Sequence, residues 1–448
     1  MGNLRRQWRR MALAGATIAA LTLTACSTGG GGGGGSATPA AGFKPGSLDR
    51  KYAGTTISVM MPPWGSFKKS VLQQFTAKTG IKVNLQTLAW DSIHDKVVTT
   101  EASGQAPADV VELDWTWVSQ FGAAGWLAPL DQYLSAAQLK DSVGASTFVQ
   151  GGKQIGVPYS LDFRGSEYDM TMLKKAGITS APTTWDEVLI AARAVKKAGV
   201  VAHPIGLPLK ILEGTSTPWY ALVRSSGGQI LTPKGKPAFD SGGLGQAALE
   251  FIHTAYSEGL IDPGAIGLTD QQVGDNFAAG ESAMVLATGP GGNAQFTDPA
   301  KSKISKDQLQ FAHVPGQKDA TGPTVSLEEA LSIPKASKHP EAAAEFITWW
   351  LQPAQLITAY HDPDMGLLPP SSAALKELAD SGKLADAQTI QTLEPTIQAV
   401  IPGGTPTWYS KFSSAAAATI QSVALGHTSA AAGIQKLAKQ TDQFASQG

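Results

Sequence analysis

Apolar and polar positions fall into alternating blocks from Thr55 onward. Thr56 to Met60 (TISVM) reads as a buried strand, and after a Pro-Pro-Trp-Gly turn Phe67, Val71, Leu72 and Phe75 recur at helical spacing until Gly80. Ile81 to Leu85 (IKVNL) alternates as a second strand, which completes a βαβ unit. The pattern then repeats, with a helix over Trp90 to Ser103, a strand over Asp109 to Leu113 (DVVEL) and a helix over Thr116 to Ala124 stopped by Gly125. Thr184 and Glu187 form a capping box for a helix over Trp185 to Ala198, closed by Gly199. A second series from Val201 to Val314 holds a helix over Leu244 to Glu258 and a strand over Ala283 to Ala287 (AMVLA). Helical segments follow at Pro340 to Leu351, Ser372 to Asp380, Ala385 to Leu393, Tyr409 to Leu425 and Ala430 to Phe444. The class this predicts is α/β, with mostly parallel sheets flanked by helices. No internal period of the kind that builds solenoids or propellers is visible.

The first residues follow a different rule. Arg5, Arg6, Arg9 and Arg10 precede an apolar run from Met11 to Leu23 that ends in small residues, the layout of a secretory signal peptide. That run is too short for the roughly 20 residues a membrane-spanning helix needs. Leu23-Thr24-Ala25-Cys26 resembles the bacterial lipobox, in which residues 1–25 are removed and the cysteine is diacylated. Cys26 is the only cysteine, so lipidation explains it better than a disulfide; an ordinary signal that happens to contain a thiol is the alternative. Seven glycines, Gly29 to Gly35, open a tether that runs to residue 51 and has little to bury. Two acyl chains suffice for stable attachment. The folded part is therefore expected outside the cytoplasm, tied to the cell membrane by lipid.

The remaining length exceeds what one hydrophobic core usually organises and points to two lobes. A net charge of -1 with no basic stripe makes nucleic acid an unexpected partner. A body without cysteine has no thiolate zinc site, iron–sulfur cluster or disulfide. No cofactor or metal is expected; His361-Asp362-Pro363-Asp364 reads as a polar turn rather than a metal site.

Several stretches resemble the extracellular solute-binding proteins of ABC sugar importers, of the maltodextrin-binding type. They are Pro107 to Trp117 running on through Phe121 to Asp131, Gly156 to Tyr159, Tyr168-Asp169, Leu173 to Gly177, and Pro182 to Glu187. Asp169 stands where Asn is usual in that family. Phe277 to Met284, Gly289-Pro290, Ile333 to Lys338, Ala343 to Ile347, Gly366 to Pro369 and Trp408-Tyr409 continue the likeness in order. The resemblance implies a two-lobed, type II periplasmic-binding-protein-like fold that captures a sugar or small oligosaccharide between the lobes and delivers it to permease subunits, without catalysis. Lobe one would be 52–160 plus 322–371, lobe two 161–321 plus 372–448, and the protein a monomer.

Sugar binding needs flat aromatic faces and planar polar groups at the strand ends of an open sheet. Trp64 lies in the turn after the first strand, as a stacking face or a plug over its own lobe. Asp114, Trp115 and Trp117 follow the strand ending at Leu113; Asp114 could instead be a helix cap, and Trp117 a core residue. Asp162 and Arg164 form either a hinge ion pair or a clamp on hydroxyls. By the resemblance, Trp219-Tyr220 and Trp408-Tyr409 occupy places where relatives stack aromatics on sugar, one of each pair being core. Gly291 stands where relatives often carry a stacking Trp, which removes a platform and argues against a plain maltodextrin. Glu328 and Glu329, in an expected loop before Ile333, could accept hydroxyl hydrogen bonds or simply be solvated. A polyol, a glycerophosphodiester, a role as chemoreceptor ligand, and an exported glycoside hydrolase with two carboxylates are the competing readings.

Overall fold

The structure is a computed structural model that describes residues 39–289, 296, 302–319, 322–362, 365–401 and 404–447. The expected signal peptide, Cys26 and the glycine run lie outside the described residues, as does Gly291. The described residues all belong to one unit, Gly35–Gly448. Among them, no helix is long and apolar enough to cross a membrane.

The first sheet is built from β1 (Thr56–Met61), β2 (Lys82–Thr87), β3 (Val110–Asp114), β6 (Val157–Pro158) and β12 (Glu329–Ser332), in the order β2-β1-β3-β12-β6. A two-strand hairpin, β4 (Val149–Gln150) and β5 (Lys153–Gln154), precedes β6. β1 runs parallel to β2 and β3, as the βαβ pattern requires, whereas β12 enters antiparallel to both β3 and β6. The intervening helices form for the reasons read from the pattern. Lys69–Thr79 buries Val71, Leu72 and Phe75 and is closed by Gly80, whose φ of 78° lets its N–H return to the Thr76 carbonyl. Phe67 meets Trp350 edge-on at 4.6 Å and Phe346 at 5.2 Å, so the helix Pro340–Trp350 seals the outer face of this sheet.

The second sheet comprises β7 (Gly165–Asp169), β8 (Ile205–Gly206), β9 (Met284–Thr288) and β10 (Leu309–His313), in the order β10-β7-β9-β8. Only β8 and β9 are parallel; β7 is antiparallel to both neighbours, so this sheet is mixed rather than mostly parallel. The cause is topological: β7 enters from the first sheet instead of closing a local βαβ unit. The capping box of Thr184 and Glu187 is present and starts the helix Trp185–Lys197. In the helix Glu213–Ser225 every residue from Thr215 to Ser225 is buried, the polar Thr215, Ser216, Thr217, Arg224 and Ser225 included, and it packs against Leu244–Ser257 and Tyr409–Ala424. Pro218, the sixth residue of this helix, has no N–H to give to the Gly214 carbonyl, so the helix forgoes one internal hydrogen bond there.

The chain passes between the sheets at residues 159–164 and again over 314–319 and 322–328. These passes pair with each other: Arg164 donates its N–H to Val325 at 2.9 Å, and Leu327 donates to Asp162 at 3.0 Å. β11 (Thr324–Ser326), on the return pass, also pairs in parallel with β13 (Ile397–Ala399). A small apolar cluster of Leu161, Phe163, Phe311, Leu375 and Leu393 packs at these passes. The helix Ser372–Asp380 contributes to it and also contacts Pro353–His361.

Candidate functional site

Parallel pairing of β1 with β3 brings their carboxyl ends to one edge, the place where open α/β sheets hold ligands. The turn after β1 presents Trp64, which is 50% exposed. β3 ends in Asp114, and the antiparallel register of β12 sets Glu329 directly across from it. The Trp64 indole N–H donates to the Glu329 carboxylate at 2.7 Å, and the Tyr159 hydroxyl donates to the same group. Asp114 accepts from the Thr116 N–H at 2.7 Å and hydroxyl at 2.5 Å, and from the Trp90 indole at 3.1 Å. Two residues back along β3, Glu112 is fully buried on the same face.

A second group faces this edge. Glu213, in the first turn of its helix, accepts from the Tyr409 hydroxyl at 2.5 Å and from the Ser413 hydroxyl. The Tyr409 ring meets Trp115 edge-on at 5.2 Å, and the Thr405 hydroxyl donates to the Thr116 carbonyl at 3.1 Å. Residues carried by the first sheet therefore touch residues carried by the helices over the second. Between them, at the pass, Arg164 pairs with Asp162 at 3.2 Å. Gly289 closes on that pair: a Cβ there would lie 2.5 Å from Asp162 Oδ1 and 2.8 Å from Arg164 Nη1, which only glycine avoids.

Burial dominates the electrostatics. It pushes the Asp114 carboxyl up to about 6, against the lowering effect of its Thr116 and Trp90 donors. Burial, then the nearby Asp114 charge, raises Glu329 to about 8. Glu213 rises to about 7, again mainly by burial, with Asp114 adding repulsion. Burial also raises Asp162, partly offset by Arg164. The result is an acceptor-rich surface with one guanidinium and an accessible indole face.

Of the residues expected from sequence, the structure gathers Trp64, Asp114, Trp115, Asp162, Arg164 and Tyr409 around this edge. Others it places elsewhere. Trp117 is core, packed 4.8 Å from Trp90 and 5.6 Å from Phe121, because it caps the helix Val118–Ala124 and turns inward. Trp219 is fully buried, its indole donating to the Gly245 carbonyl at 3.2 Å. Tyr220 is likewise buried, stacked on Phe412 at 6.0 Å and 8°, behind Tyr409 and Glu213. Trp408 packs toward Gly235 and Phe444.

Glu328 is fully buried against Gly144, not solvated in a loop. Adjacent residues of extended chain point to opposite faces, so Glu329 at the start of β12 takes the cleft position instead. Sequence patterning does not single out Trp90, Tyr159 or Glu213, whose roles arise from contacts across 24 to 200 positions. Glu112 carries a usable signal, a carboxylate inside the apolar strand DVVEL.

The chain belongs to the bacterial extracellular solute-binding protein family, whose model matches residues 62–357. It is accordingly a solute-binding protein and not an enzyme. The diacetylchitobiose binding protein DasA of Streptomyces coelicolor is 27% identical over 318 residues, 66% of this chain and 69% of that one. Among solved structures, maltose-bound MalE3 of T. maritima superposes with a TM-score of 0.77 at 22% identity, covering 87% of this chain and 100% of that one. An ABC transporter solute-binding protein of Agrobacterium radiobacter, in complex with ribitol, gives 0.76 at 18% identity, with 90% and 100% covered. These likenesses establish the two-sheet binding-protein fold.

Proposed function

We propose that this chain is the capture subunit of an ABC importer for an uncharged polyhydroxylated solute, a sugar or small oligosaccharide or a polyol, held between the two sheets. One observation carries the reading: the exposed face of Trp64 stands beside Asp114 and Glu329, with Arg164 nearby. An indole face suits the C–H side of a sugar ring, and carboxylates with a guanidinium suit its hydroxyls. The abundance of carboxylates disfavours a phosphodiester or any other anionic solute. Relatives with bound maltose, diacetylchitobiose and ribitol in their names support the same class.

In this reading the lobes are 52–160 plus 322–371 and 161–321 plus 372–448, and they hinge at the paired passes. Solute with contacts on both faces favours the closed form by its differential affinity, and closure presents the permease with its docking surface. The chain acts as a monomer, held to the membrane by diacylation of Cys26. Replacing Cys26 with Ala releases it from the membrane fraction.

A thermal-shift screen tests the solute class. A ligand at 100 times its dissociation constant adds about 2.7 kcal/mol of stability. A rise in Tm with one sugar or polyol class supports the reading. No rise with any of them, or a rise confined to anionic solutes, contradicts it.

A further inference from the structure

Beneath the exposed part of the cleft, Glu112, Asp114 and Glu329 each offer an oxygen within 4.8 Å of the others. The three differ in how they are satisfied. Asp114 and Glu329 accept hydrogen bonds from neutral donors, two of them indoles. Glu112 is 0% exposed, and neither of its carboxylate oxygens has a hydrogen-bond partner. A buried carboxylate left without any donor costs far more than one that is paired, so such groups call for a counter-charge or a proton.

We propose that Glu112, Asp114 and Glu329 form a binding site for a hard divalent cation, of which calcium is the fitting example, in the floor of the cleft. An all-oxygen, all-carboxylate donor set suits calcium or magnesium rather than a softer metal. Calcium holds its oxygens at about 2.3–2.6 Å, so ligands on opposite sides of the ion lie up to about 5 Å apart, a limit that three oxygens all within 4.8 Å of one another respect. Calcium takes six to eight oxygens, which leaves positions for water or for solute hydroxyls entering beside Trp64. The cation would also offset the mutual repulsion that, after burial, raises Glu112 and Glu329. The register Glu329 to Asp114 across β12 and β3 fixes two of the ligands by backbone pairing, so the site needs little reorganisation. This inference does not depend on the identity of the solute.

Two tryptophans touch two of the three carboxylates, Trp64 at 2.7 Å and Trp90 at 3.1 Å, which makes the site optically addressable. The test is titration of the chelator-treated full chain with terbium, exciting tryptophan and reading terbium emission, without any solute present. The expected result is saturable sensitised emission that calcium displaces, with affinity falling at least tenfold in Glu112→Gln and unchanged in Glu345→Gln, a buried carboxylate beside Asp49. Circular dichroism melts of both variants establish that each is folded. If Glu112→Gln does not fold, Glu329→Gln replaces it with the same expectation. Absence of saturable emission, emission that calcium does not displace, or equal affinity in the cluster variant and the control would each overturn the proposal. Such outcomes would leave the solute reading untouched, since the thermal-shift screen reports on it separately.

Discussion

The two faces that meet at the contact of Trp115 with Tyr409 hold their carboxylates differently. On the first sheet, Asp114 and Glu329 sit on paired strands, so the backbone ladder of β3 and β12 sets their spacing and indoles supply their donors. On the opposing face, Glu213 opens a helix and is held by two hydroxyls of the helix Tyr409–Ala424. A strand-borne pair keeps its geometry whatever the cleft contains. The helix-borne group depends on how two helices pack, so it is the side able to adjust as a solute arrives. The rigid side should therefore define which solute is recognised, and the adjustable side should add affinity once it is in place.

The largest expected effect lies outside both faces. Trp219→Ala removes a fully buried indole and costs about 3–5 kcal/mol of stability, seen as a large drop in Tm, and Trp117→Ala behaves similarly. If either instead leaves Tm intact and removes binding, the division between core and cleft drawn here is wrong.

Asp114→Ala comes next. Loss of a charged acceptor costs about 1.5–3 kcal/mol, or roughly tenfold to more than hundredfold in affinity, measured by calorimetry with the solute found in the screen. Tm without solute should fall as well, because the Thr116 N–H and hydroxyl and the Trp90 indole lose their acceptor.

Trp64→Ala is expected to weaken binding by about fivefold to tenfold, the worth of one stacking contact at roughly 1 kcal/mol, with little change in Tm because the residue is half exposed. Trp408→Phe, by contrast, should leave affinity unaltered.

The smallest effect is a pH slope. Glu213 is raised to about 7 in the folded chain, above the ordinary value near 4.5 of an unfolded glutamate. The folded state then binds more protons than the unfolded state between those values, so stability is full below about pH 4.5 and is lost as pH rises through 7. Asp114 and Glu329, raised to about 6 and about 8, act in the same sense. Tm of the solute-free, chelator-treated chain should decline from pH 5 to pH 8, and less steeply in Glu213→Gln. A rising Tm over that range would contradict the assignment of these carboxyls as buried acids.

Periodicity made much of the fold legible. Amphipathic helices such as Lys69–Thr79 and Trp185–Lys197 carry their buried stripe and their caps locally, and they appear where the pattern puts them. What periodicity could not expose were elements buried on all sides or shaped by distant partners. Glu213–Ser225 buries its polar residues along with its apolar ones, and β12 is a strand only because β3 and β6 flank it.

The candidate site divides along the same line. Trp64, Asp114 and Trp115 follow recognisable strands and could be named from position. The choice between Glu328 and Glu329 turns on strand register, and the choice between Trp408 and Tyr409 on which way a helix start faces. Glu213 meets its partners 196 and 200 positions away, a proximity that no local pattern encodes.

The central claim is that one solute is held by both faces at once. Calorimetric titration of the solute into the wild type, Asp114→Ala, Glu213→Ala and the double variant tests it most directly. The account predicts one solute per chain, weaker binding in each single variant, and a further loss in the double variant. Affinity unchanged by Glu213→Ala, with folding intact, would mean that the solute rests on the first sheet alone and that the two-faced cleft is not the binding site.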